Sequence, residues 1–472
     1  MSHNCSQLSF TMKKKMNLSL LGSVWAVNLA SIISGASYSW TSPVLPKLNN
    51  VDNMVDNPFG RPITPFEESW ITSLLSVGAA IGPLLAATVM DKIGRKKTLL
   101  MIAVPMIVSH LTLAFTTDIN LYYFSRFFLG IGTGCVLSII PTYVGEIAEN
   151  SNRGAFACVM GLVCTAGSLF CYIVGPFVTI KTFCLILVIP PVAFLILFGL
   201  IAPESPYFLL MVGKEEDARL SLKKVRRPFL EKELEEMKKI VEKSLSVHVT
   251  LRSSLKSKAI RKGLLIGCGL MFFQQCSGIT VVVSYLQPIF EASGTSIQPE
   301  MATIIVGAIQ LTTNFLTSQL VDKLGRRILL LCSLTGTCLS HVLLGTYFYL
   351  KTNNFADAVS YLFWLPVCSL ILYVVTYNIG IGPVAWAMTG ELFPPQFRNY
   401  ASALVSSFCL FLAFIFALFF PNIREIIGMA ASFWIFAGSS ALGIVFVWLL
   451  VPETKGKSLH DIQLALETGT KT

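Results

Sequence analysis

Charge is scarce in this chain. Only 13% of its 472 residues are Asp, Glu, Lys or Arg, 54% are hydrophobic, and mean hydropathy is +0.67. Soluble domains carry about 25% charged residues, so this composition belongs in a lipid bilayer. Paired cysteines are missing too. The 12 Cys are irregularly spaced, all but Cys5 lie in apolar stretches, and none forms a CxxC pair. They read as small core residues and not as a disulfide or metal framework. No Walker segment is present, which excludes a pump driven by ATP. No nucleophile–base constellation or metal-ligand spacing is present either, so neither an enzyme nor a cofactor is expected. The net charge of +10 falls mostly in gaps between apolar runs. Positive-inside sorting explains that better than a nucleic-acid partner does.

What the chain has is length of apolar sequence. Runs of roughly 20 residues, enough to cross about 30 Å of hydrocarbon, occur approximately twelve times. They fall near 17–38, 68–90, 98–116, 120–145, 154–179, 183–202, 263–290, 301–321, 328–350, 358–389, 400–420 and 430–451. Lys13, Lys14 and Lys15 precede the first run and no small-residue cleavage site follows. The segment therefore reads as a retained helix behind a cytosolic N-terminus, 1–16. An even number of spans returns the C-terminal tail, 452–472, to that side. The 41–66 loop falls on the other side and holds no Asn-x-Ser/Thr sequon. Two halves, 17–202 and 263–451, flank a polar linker at 203–262. There Leu230, Leu234, Met237, Ile240, Val241 and Leu245 recur at helical spacing among charges, which predicts an amphipathic cytosolic helix able to clamp the halves from below.

One loop is written twice. Asp91-Lys-Ile-Gly-Arg-Lys-Lys97 recurs as Asp322-Lys-Leu-Gly-Arg-Arg327, each in a short gap between spans. Two homologous membrane halves are the pattern of a transporter that rocks about a central site. Near these loops, Glu146, Glu204, Glu391 and Glu453 share a face with Arg95, Arg153, Arg326 and Arg398. Carboxylates and guanidiniums there can form bidentate, half-desolvated pairs. Their repetition in both halves favours a gating lock over isolated surface ion pairs.

Inside the spans the clear embedded charge is Arg126. Neutral hydrogen-bonding groups and an aromatic face suit a neutral polyol, and Gln274, Gln275 and Trp386, just after Gly380-Ile-Gly-Pro383, supply them. The alternative for the glutamines is interhelical hydrogen bonding, and for Trp386 simple packing. Two adjacent amides face different sides of one helix, so one of them can be structural.

Over nearly its whole length the chain resembles the sugar porter family of the major facilitator superfamily. The motifs are the two Gly-Arg loops, Arg126 with Gly130, Pro141-Thr-Tyr-Val-Gly-Glu146, Arg153-Gly154 and Pro203-Glu-Ser-Pro-Tyr207. They continue with Gln274-Gln-Cys-Ser-Gly278, Gly382-Pro-Val-Ala-Trp386, Glu391-Leu-Phe393, Arg398 and Pro452-Glu-Thr-Lys-Gly456. Ser39-Trp-Thr-Ser-Pro-Val-Leu-Pro-Lys47 is most similar to the insect-type facilitated trehalose transporters. The resemblance implies an all-α integral membrane fold of two six-helix halves, a plasma-membrane location, and charged pairs that hold the cytosolic face shut in the outward-open state. Proton-coupled relatives place an aspartate in the first span, whereas Ile33-Ser-Gly-Ala-Ser-Tyr-Ser-Trp40 has none. Without a buried carboxylate as proton carrier, passive uniport of a small neutral sugar such as a hexose or trehalose is expected.

The binding region departs from the family pattern. Gly161 stands where the family usually has glutamine, Thr280 and Gln310 where it has asparagine, and Cys409-Leu410 where it has Asn-Trp. Thr280 and Gln310 are therefore candidate selectivity positions. A pocket so altered also keeps open the carriage of another organic solute. A non-transporting sugar sensor is a further alternative, disfavoured by a short tail.

Overall fold

The computed structural model describes residues 18–50, 56–149, 153–225, 230–246, 257–295, 297–455, 457 and 459–468. Every regular element among the described residues is helical. Ten stretches are long and apolar enough to cross a membrane. The longest, Tyr400–Leu450, belongs to a 56-residue helix broken at Gly428 (φ 80°, ψ 167°), and Pro299–Leu324 adds a further 26-residue helix. Counting both gives the twelve crossings expected.

The first half holds α1 (Leu18–Asn49), α2 (Pro65–Ile93), α3 (Arg95–Phe115), α4 (Ile119–Ile147), α5 (Arg153–Val174) and α6 (Ile180–Ile201). The second holds α7 (Lys258–Ser293), α8 (Pro299–Leu324), α9 (Arg326–Thr352), α10 (Leu365–Glu391), α11 (395–427) and α12 (429–450). Two expected loops are shorter than anticipated. Helix Thr41–Asn49 continues α1 into the 41–66 loop, and α7 already starts at Lys258, inside the 203–262 linker. In both places polar residues join a helix whose apolar face remains buried.

Local chemistry sets the ends. Thr64 and Glu67 form a reciprocal capping box on α2, and Asp118 caps α4. Within the first half, α2 and α4 pack almost backbone to backbone. A methyl group on Gly78 would lie 2.1 Å from the Phe127 carbonyl, and one on Gly130 equally close to that of Leu75. Outward-facing Met101, Val104, Val108 and Phe115 of α3 remain exposed, as lipid-facing residues should.

The interior is partitioned by depth. At the face carrying the Gly-Arg loops, each half has its own core: Val27, Leu99, Ile139 and Phe198 in the first, Leu270, Leu330, Met388 and Val405 in the second. At the opposite, distal end a single core draws on both halves, joining Trp40, Leu45, Tyr122 and Phe183 to Tyr285, Phe290, Phe348 and Phe433. The halves are thus sealed together distally.

In the linker, Leu234 and Met237 of helix Leu230–Ser246 pack on Ala218 and Leu222 of helix Glu215–Val225. Val225 joins the core of the first half, and Ser221 Oγ donates to Glu204 O. The described contacts of 203–246 therefore dock on the first half, while Ala259 and Ile260 already lie in the core of the second. The side chains of Leu230, Ile240 and Leu245 lie outside the described residues, as do Met1–Asn17, including Lys13, Lys14 and Lys15. In the tail, helix Leu459–Thr468 buries Ile462 and Leu466 in the second half's core.

Candidate functional site: the loop-face charges and the central polar cluster

Gly94 and Gly325 end one helix and begin the next at φ 100° and 90°, a region open essentially to glycine. A Cβ on either would stand 2.3 or 2.9 Å from the carboxylate of Glu204 or Glu453. Those carboxylates cap α3 and α9 from a distance in sequence. Glu204 accepts from the backbone N–H of Arg95 (2.9 Å) and Lys96 (3.0 Å). Glu453 accepts from those of Arg326 (3.0 Å) and Arg327 (3.1 Å). An anion on the free N–H groups of a helix start meets both hydrogen-bond demand and dipole. Burial pushes the Glu453 carboxyl up, but the amides of Lys455, Arg326, Arg327 and Thr454 together hold it below the ordinary carboxylate value.

The guanidiniums complete the repeat. Arg95 Nε and Nη2 donate to Glu146 at 3.0 to 3.2 Å, and Arg326 Nε and Nη2 donate to Glu391 Oε1 at 3.2 and 3.1 Å. Thr454 Oγ1 donates to Glu391 (2.5 Å), and Ser205 hydrogen-bonds Glu146. The next basic residue reaches the last turn of its half: Lys96 Nζ to Gly199 O at 2.8 Å, Arg327 Nη2 to Trp448 O at 2.6 Å. Each of these described pairs joins elements of one half. They staple the halves internally. Arg153 and Arg398, grouped with them on sequence, have side chains outside the described residues. The hydroxyls of Ser205 and Thr454 were missed in the sequence, although Pro-Glu-Ser and Pro-Glu-Thr, at 203 and 452, repeat as plainly as the loop.

The central residues form a second cluster. Gln274 and Gln275 are both buried. Gln274 Nε2 donates to Ile381 O (3.1 Å) and Gly382 O (2.9 Å), satisfying carbonyls at the break of α10 at Gly380. Both its amide protons are therefore structural in this conformation. Gln275 Nε2 donates to Cys409 Sγ (3.2 Å) and its oxygen accepts from Thr280 Oγ1 (2.7 Å). Trp386 remains 38% exposed and Gln310 half-buried. Thr280, Gln275 and Cys409 are thus brought together, while Gln310 belongs to the seam of α5 and α8. Arg126 is fully buried, yet among the described residues its guanidinium meets no carboxylate: Nε donates to Ile71 O and Nη1 to Ser37 O, both 2.9 Å, with the Trp40 ring 5.1 Å away.

Distally, α7 breaks at Tyr285, three residues before Pro288, which has no N–H and crowds the Ser284 carbonyl. The freed groups are taken up by the other half. Thr41 Oγ1 donates to Ser284 O (3.0 Å), Tyr172 to Val283 O (3.1 Å), and Gln287 N to Ser42 Oγ (3.1 Å). Glu68, 4% exposed, meets Arg424 across the halves at 3.5 Å. None of these cross-half partners was legible beforehand, because partner choice spans the whole chain. The proline after an otherwise continuous apolar run was the available signal for the break.

A family model described as "Sugar (and other) transporter" matches residues 28–466. The chain belongs to the sugar transporter family. This transporter is 32% identical over 449 residues to the facilitated trehalose transporter Tret1 of Bombyx mori, spanning 95% of this chain and 86% of that one. It is 34% identical to Tret1 of Culex quinquefasciatus, spanning 93% and 84%. The Tret1 of Anopheles gambiae, also 34% identical, is longer, and the match spans 55% of it. Among solved structures, the partially occluded inward-open xylose transporter XylE of E. coli superposes with a TM-score of 0.75 at 24% identity, covering 93% of this chain and 99% of that one. That likeness establishes the major facilitator fold. The transporter is accordingly a multi-pass membrane protein and not an enzyme.

Proposed function

We propose that this transporter carries a small neutral sugar, such as a hexose or trehalose, down its gradient by alternating access. Arg126 carries the reading: its charge is answered by carbonyls of α1 and α2 and by the Trp40 ring. A carboxylate there would offer a proton carrier; its place is taken by groups that do not titrate. The facilitated trehalose transporters to which the chain is similar support uncoupled sugar movement. In the pocket, Gln275, Thr280, Gln310 and Trp386 would contact the solute, with Gln274 holding the broken α10. Both termini and the 203–262 linker would be cytosolic in the plasma membrane, as the Lys and Arg of the short loops favour. The distal seal then closes the outer mouth, which makes this an inward-facing arrangement.

On this reading the loop-face charges, Arg95, Glu146, Glu204, Arg326, Glu391 and Glu453 with Arg153 and Arg398, keep each half rigid at the inner gate. Uptake into sealed vesicles with labelled hexoses, disaccharides and polyols tests the function. Equilibration without accumulation is expected; accumulation that a protonophore collapses would overturn uniport. The altered Gly161, Thr280 and Gln310 favour a second reading, carriage of another organic solute, which the same screen would reveal.

A further inference from the structure

Asn314 belongs to no motif, yet its amide is anchored twice across the seam of α5 and α8. Its Nδ2 donates to Gly161 O (3.3 Å) and to Thr165 Oγ1 (2.8 Å), both in the opposite half. Thr165 Oγ1 gives its own proton to Gly161 O (2.9 Å). That closes a ring of three hydrogen bonds and leaves lone pairs, not protons, facing Asn314. Reversing the amide would set Oδ1 against the lone pairs of the Gly161 carbonyl and break the Thr165 hydrogen bond to it, which disfavours that orientation. Oδ1 therefore points away from α5. It makes no hydrogen bond among the described residues, and Asn314 is only half-buried.

Two neighbours give this oxygen a purpose. Gly161 has no side chain, and the nearest atom to a Cβ built there is Asn314 Nδ2 itself, at 3.9 Å. Gln310 lies four residues earlier on α8, hence one turn away on the same face. It too is half-buried and makes no hydrogen bond among the described residues. The α5 position that could carry an amide is empty, and α8 presents two.

We propose that Asn314, with Gln310, forms a solute-contacting amide pair on α8, and that Asn314 Oδ1, held turned away from α5, accepts a solute hydroxyl. The inference rests on the transport function proposed above and assigns selectivity to a residue outside the recognised motifs. An anchored amide suits the task, because its oxygen is already oriented before the solute arrives.

The test is a set of uptake kinetics on the full chain: parent, Asn314→Ala, Gly161→Gln, the double variant, and Thr165→Val, each normalised to inserted protein. Asn314→Ala is expected to raise KM roughly five- to a hundredfold with Vmax unchanged, as loss of a hydrogen bond in a desolvated site does. Gly161→Gln alone should also raise KM, because its side chain runs into Asn314. Combined with Asn314→Ala, the same glutamine reaches the vacated space and should restore KM towards the parent, an outcome that simple loss of packing does not produce. Unchanged KM in Asn314→Ala, or a double variant that merely compounds the two defects, would overturn the proposal. Should Asn314→Ala fail to insert, Thr165→Val decides: it removes one anchor and should raise KM by a smaller factor, and an unchanged KM there is equally fatal. A parent that carries no sugar sinks the sugar reading alone, and the variants are then measured with the solute it does carry.

Discussion

Arg95 and Arg326 occupy the same place in the two halves and bind equivalent glutamates, but at different depths. The side chains of Arg95 and Glu146 are 6% and 16% exposed, those of Arg326 and Glu391 15% and 29%. Arg95 engages both oxygens of its glutamate and also Asp91 at 3.2 Å, whereas the described contacts of Arg326 to Glu391 fall on one oxygen. Part of the cause lies a few residues beyond each Pro-Glu pair. Phe208 lies over the Arg95 guanidinium at 5.5 Å, and counting the same four residues on from Glu453 reaches Lys457 in the sequence. An aromatic ring covers a cation and excludes water, which a lysine side chain does not do. A duplicated motif thus transmits its connectivity faithfully, while the surrounding side chains set its energy.

The comparison breaks most readily at the carboxylates. Glu146→Gln should destabilise by up to about 3–5 kcal/mol, because a buried guanidinium keeps only the largely exposed Asp91 as its counter-charge. Glu391→Gln, in the wetter pair, should fall well short of that. Thermal unfolding of the purified protein in detergent measures both, and equal losses would show that depth is irrelevant here. The glycines come next. Gly94→Ala and Gly325→Ala each force a conformation that non-glycine residues avoid, at about 1–3 kcal/mol. The first should be worse, since its added carbon approaches Glu204 to 2.3 Å against 2.9 Å from Glu453.

Phe208→Lys would strip the aromatic cover from the first half's pair. It should lose about 0.5–2 kcal/mol with the ring–cation contact, and the further cost of Glu146→Gln should shrink in that background, which a double-mutant cycle reads directly. The smallest effect expected is at Glu453. Its carboxyl is held below the ordinary value, so its contribution to stability is complete above the unfolded value of about 4.3 and is lost as pH falls through the lower folded value. Glu453→Gln should lower stability at neutral pH by about 0.3–1 kcal/mol and flatten the acid limb of the stability curve. An unchanged acid limb would leave Glu453 a neutral hydrogen-bond acceptor only.

Much of this was legible in the residues. Apolar runs announced the spans because a bilayer has a fixed thickness, and the doubled Gly-Arg loop announced the halves because a tight turn between helices needs glycine wherever it recurs. Glu146, Glu204, Glu391 and Glu453 could be grouped with the arginines by position alone. Which glutamate takes which group could not be read: Glu146 and Glu391 receive side chains, whereas Glu204 and Glu453 receive backbone N–H groups. Nor could the adjacent Gln274 and Gln275 be told apart, since their roles depend on where α10 breaks and on the Cys409 thiol.

By itself, then, the sequence determined what short-range rules govern: helical spans, their number, the duplication, the basic loops and the lack of an acid in the first span. Tertiary structure alone decided what depends on partners far along the chain. It set the depth of the two staples, the capture of the α7 break by Thr41, Ser42 and Tyr172, and the anchoring of Asn314 on Gly161 and Thr165. The physical reason is that hydrophobicity and backbone geometry act on neighbouring residues, whereas a hydrogen bond between halves exists only once two distant helices have been packed side by side.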